Sequence, residues 1–146
     1  MFSMSSDQTA ALVVHYFSGP ANSDADYESY CTSIAELSKP PSDLRIGVLA
    51  FDAHNPMPNA SWRKRIADAS ADMDPNTMFI LVSERPIVRG IMTAINWVRP
   101  CTFQWSIVKC FDEALDSVAE LRPNAVADIR RLHDDCLRQS QMPPRA

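Results

Sequence analysis

Residues 44–51, LRIGVLAF, and 77–83, TMFILVS, are two continuous apolar runs of strand length, each followed by apolar positions at helical spacing. Behind the first comes the polar stretch Asp52–Asn59, holding Pro56 and Pro58, which reads as a loop; Trp62, Ile66, Ala69 and Met73 then recur at 4, 3, 4 spacing, a helix. Behind the second, Pro86 suits the first turn of a helix because it lacks an N–H that would be unpaired there. In that helix Ile87, Val88, Ile91, Ile95 and Val98 are expected on one buried side. Strands apolar throughout and joined by helices run parallel, with both faces covered.

The same pattern extends both ways. Residues 10–17, AALVVHYF, read as a further strand, and Tyr27, Tyr30, Cys31, Ile34 and Leu37 predict a helix over 24–38. Asp24 and Asp26 sit near the positive end of its dipole, and Pro40 and Pro41 stop it. Residues 103–109, FQWSIVK, alternate apolar with mostly polar, as a strand near the sheet edge does. Asp112 is placed to cap a fourth helix containing Phe111, Ala114, Leu115, Val118 and Leu121. A fifth, amphipathic helix follows Pro123. The expectation is one α/β domain over 9–121, with a single small sheet of about four mainly parallel strands and helical crossovers. An extra C-terminal helix over 122–140 follows, with 1–8 disordered and 141–146 frayed. The core is expected at Leu12, Val14, Val48, Leu49, Phe79, Ile80, Leu81, Ile91, Ile95, Leu115 and Val118.

Composition narrows the function classes. A chain of 146 residues with three glycines cannot assemble the glycine-rich phosphate cradle of a P-loop or dinucleotide fold. Net charge is −5 over residues 1–60, +3 over 61–109, −4 over 110–121 and +2 over 122–146. So acidic a chain has no general attraction to nucleic acid. No run approaches the roughly 18 to 20 apolar residues of a membrane span. Cys31, Cys101, Cys110 and Cys136 match no CxxC spacing and read as small buried hydrophobes in a cytoplasmic protein with reduced thiols.

Three stretches carry a family resemblance: LRIGVLAFDAHNPMPNASWRKRIADAS (44–70), TMFILVSERPIVRGIMTAINWV (77–98) and FQWSIVKCFDEALDSVAEL (103–121). In this order they resemble the STAS domain, named for sulfate transporters and anti-sigma-factor antagonists, and the uncharacterised bacterial STAS-like proteins. The likeness covers about 9–121 and implies a non-enzymatic switch or docking module. In the antagonist members a partner kinase phosphorylates a hydroxyl residue at the start of the helix after a buried strand. By that resemblance Asp52 matches the acid at the strand end and Ser61 the phosphorylated position, while Ala60 stands where the family has a preceding acid.

Ligands of open α/β sheets sit beyond the carboxyl ends of the strands. Those ends hold Ser18; Asp52, His54 and Asn55; Ser83, Glu84 and Arg85; and Lys109 and Cys110. The favoured reading is a regulatory or interaction module that docks a protein through the loop after Asp52 and the starts of the second and third helices. Its contact residues are Asp52, His54, Asn55, Arg63, Arg85 and Arg89. The alternative is a small hydrolase using Asp52, His54 and Ser83, although Ser83 lacks the GxSxG elbow that exposes a nucleophilic serine. No cofactor or metal is assigned: of His133, Asp134, Asp135 and Cys136, only the first and last share a helix side. Val126, Ile129, His133 and Cys136 form a stripe that either lies on its own sheet or joins a second copy in a homodimer. In the dimer, protonation of His133 near pH 6.5 would weaken association.

Overall fold

In the computed structural model of the protein, the four apolar runs become β2 (Leu12–Phe17), β3 (Arg45–Phe51), β4 (Thr77–Val82) and β5 (Gln104–Val108). They are mutually parallel neighbours in chain order. The structure describes residues 1–98 and 100–142, without the side chains of Ile95 and Val98. The expected core residue Ile95, its stripe neighbour Val98, the cation Arg99 and positions 143–146 of the frayed ending therefore lie outside the described residues.

A fifth strand corrects the expectation of four and of a disordered start. β1 (Phe2–Asp7) pairs antiparallel with β2, from Phe2 opposite Phe17 to Asp7 opposite Leu12. The hairpin turns through Gln8–Ala11, with Ala11 in the left-handed region at φ 56°.

The crossovers are α1 (Asp24–Ala35), α2 (Ala60–Ser70) and α3 (Pro86–Val98), followed after β5 by α4 (Phe111–Leu121) and α5 (Val126–Gln141). Because β2 to β5 advance in one direction, same-handed crossovers leave α1, α2 and α3 on one face. That face buries Val13, Phe17, Leu49, Phe79 and Leu81 against Tyr30, Ile34, Trp62 and Val88. The other face is left to α4 and α5, which cover Val14, Ile46, Val48 and Ile80 with Leu115, Val118, Ile129 and Leu132. This decides the fifth helix: Ile129 and Cys136 are 0% exposed beneath it, packed on the chain's own sheet. Of the four residues expected either to lie on this sheet or to form a homodimer seam, Ile129 and Cys136 are thus covered within the subunit, while Val126 is half-buried. His133 is half-buried and stacks on Phe111 at 3.9 Å, and burial holds its pKa below the ordinary histidine value.

Apart from Ile95, the expected core is buried except that Ile91 is only half-buried. α1 is held by a capping box between Ser23 and Asp26. At α4 the N-cap is Cys110, without a side-chain bond, and Asp112 lies inside the first turn rather than capping it. Only Cys136 is a buried thiol; Cys31 and Cys101 are half-buried and Cys110, at the N-cap of α4, is exposed. Among the described residues no helix is long and apolar enough to cross a membrane.

Candidate functional site

The carboxyl ends of β2 and β3 are tied together by Asp52. Its amide donates to the Phe17 carbonyl at 2.8 Å, and its carboxylate accepts the amides of Gly19 at 3.2 Å and Ala53 at 2.8 Å. Gly19 has φ 80°, a conformation that a side chain would strain. Asn55, 0% exposed, completes the knot. Its amide nitrogen donates to the carbonyls of Ser18 (3.3 Å) and Gly19 (3.1 Å), and it exchanges a pair of 2.9 Å bonds with Asn22. Asn55 was expected to touch a partner. Instead it is an internal fastener, because the loop carbonyls it folds beneath need its donors.

Nor do the three groups of the hydrolase reading act on one another among the described residues. The Asp52 carboxylate is taken by backbone amides, the Ser83 hydroxyl accepts the Arg85 amide at 3.2 Å, and His54 is exposed without a hydrogen bond. A nucleophile needs a base within hydrogen-bond reach. Among the described residues no three His, Cys, Asp or Glu side chains gather where a metal ion would sit.

The cations are arranged differently. Arg63 donates to the Pro58 carbonyl at 2.8 Å and so braces the proline loop from the first turn of α2. Arg85 is half-buried and Arg89 exposed, and among the described residues none of these three is in an ion pair. Arg65, by contrast, is engaged by Glu28 at 2.7 Å and lies 4.3 Å over the Trp62 ring. Ser61 is exposed at the second position of α2, whose N-cap Asn59 accepts the Trp62 amide at 2.9 Å.

Beside Arg89 runs a feature that the sequence reading missed. Ile87, Gly90, Ala94 and Trp97 are all exposed and recur at 3, 4, 3 spacing, so they form one outward stripe along α3. Ile87 is 59% exposed and Trp97 81% exposed. Ile87 therefore does not share the buried side with Val88 as expected. The signal was present as a second apolar stripe, but α3 is apolar nearly all round and its periodicity does not say which stripe faces in. Comparison with protein-family models, with curated proteins and with solved structures finds no match to this chain.

Proposed function

We propose that the chain is a non-catalytic docking module of the cytoplasm, STAS-like in kind, which binds a protein partner along the outer stripe of α3. The observation that carries this is Trp97, an aromatic ring 81% exposed on the same helix as Arg89, with Arg85 just before the helix start and neither cation in an ion pair among the described residues. Large exposed aromatics and arginines are the side chains that anchor interfaces once water is excluded. The local positive excess fits a partner surface that rims an apolar pocket with carboxylates. His54 is exposed on the loop before α2. Ser61 lies exposed in the first turn of α2, where a phosphate gains from free backbone amides and would change the charge this face presents.

Tagged protein should retain one defined partner from its native extract, and binding can then be remeasured with purified components. Trp97→Ser is expected to weaken it by roughly 30-fold, the size of an anchor worth about 2 kcal/mol. Arg89→Glu should weaken it further at low salt than at high, and Arg138→Glu on α5 should leave it unchanged. A partner held equally by the Trp97 and Arg89 variants would place the interface elsewhere. A broad esterase and phosphatase screen that finds activity lost in His54→Ala would favour the hydrolase instead. Intact mass of protein from its native host should show the increment of one phosphate if Ser61 is a switch, and Ser61→Ala should lose it.

A further inference from the structure

We infer that the protein also holds a small-molecule site between the sheet and α1, α2 and α3, and that its ligand is a short apolar carboxylic acid. A cavity of about 110 Å³ lies there, walled by Tyr30, Leu49, Phe79, Leu81 and Val88. It is somewhat smaller than the cavity of about 150 Å³ that takes up benzene, and suits an acyl chain of roughly four to six carbons.

The walls do not close on themselves as a packed core does. Met57, Met73 and Met92 line the space, and unbranched thioether side chains re-pack around a guest at little cost. The polar groups decide the ligand's head. Arg63 is the charged side chain on the lining and no Asp or Glu among the described residues joins it, so the site selects an anion. Only one nitrogen of that guanidinium is used, on the Pro58 carbonyl, which leaves donors for a carboxylate.

The site stands apart from the docking face, because its test needs no partner. Hexanoate, hexanol and acetate are titrated into the full chain while the methyl resonances of Leu81 and Val88 are followed. Hexanoate should shift them saturably, hexanol should bind about ten-fold more weakly or worse, and acetate should have no effect. Arg63→Gln should reduce hexanoate to the level of hexanol without changing hexanol itself. Ala67→Met, which fills the cavity from α2, should abolish both, with melting curves showing that each variant is folded. The inference is overturned if hexanoate and hexanol bind the parent alike, if hexanoate binding survives Arg63→Gln, or if millimolar hexanoate moves neither methyl.

Discussion

An Ile80→Asn chain is expected to melt about 15 °C below the parent, a loss of roughly 5 kcal/mol at the few degrees per kcal/mol typical of this size. Ile80 is 0% exposed at the middle of β4, between Val48 on one side and Ser106 on the other, with α4 and α5 packed over it. Two effects add. Removing the aliphatic side chain forfeits about 2 to 3 kcal/mol of burial, and an amide placed among Val14, Val48 and Val118 finds no partner, at a further cost of about 1 to 3 kcal/mol. Ile80→Val tests the size effect alone and should cost only about 1 kcal/mol. Ile87→Asn makes the same chemical change at a side chain 59% exposed and should shift stability by less than about 0.5 kcal/mol. Thermal unfolding of the three separates these cases, and an Ile80→Asn midpoint within a few degrees of the parent would show that β4 is not central.

The strands most legible from the amino-acid order were those whose burial on both faces makes the run uniformly apolar, as in RIGVLAF and TMFILV. β1 hid because FSMSSD has four polar residues in six and one side of it is only partly covered. Its hairpin closes through Ala11 at φ 56°, where a glycine or asparagine would have signalled the turn. Strand order was the larger gap. Periodicity shows that α5 has a stripe to bury, but only the advance of β2 to β5 in one direction shows that a whole face was left free for it.

The candidate site was legible in place and not in role. Asp52, Asn55 and Ser83 do lie at the strand ends, yet what they bond depends on how far the loop after Phe17 folds back, which spacing does not encode. Nor does spacing mark the clamps made by two arginines: Arg45 donates to the carbonyls of Leu37 and Lys39 (2.7 Å each), and Arg122 to those of Ala10 and Leu44 (2.6 Å each).

The largest pH effect is expected from His15, which the sequence places inside a strand and the structure buries completely. Its ring stands among those of Phe2, Tyr30 and Phe79, at centroid distances of 5.7, 5.3 and 6.1 Å. Nε2 lies 2.6 Å from the Ser33 hydroxyl, while Nδ1 has no partner among the described residues. The neutral tautomer that fits carries its proton on Nε2 and leaves Nδ1 a bare lone pair. Protonation would put an N–H and a positive charge where nothing accepts either, and burial accordingly pushes the pKa from 6.5 down to about 3. The unfolded chain takes up this proton below pH 6.5 and the folded chain does not until about 3, so stability falls as pH drops through that window and levels off beneath it. At 1.36 kcal/mol per unit the loss reaches about 3 kcal/mol by pH 4.5 and roughly 5 kcal/mol at the bottom. His133, also held below its ordinary value by burial, and Asp26, held low by backbone donors, act in the same direction. A control must therefore isolate His15. The double variant His15→Phe with Ser33→Ala removes both partners of the bond and leaves no orphaned hydroxyl. Urea unfolding at pH 7.0, 5.5 and 4.5 should show the parent losing stability faster than the double variant by about one proton per molecule across the lower interval. Parallel lines for the two proteins would mean that His15 is charged in the folded state, or that water reaches it, and would remove it as the origin of the acid sensitivity.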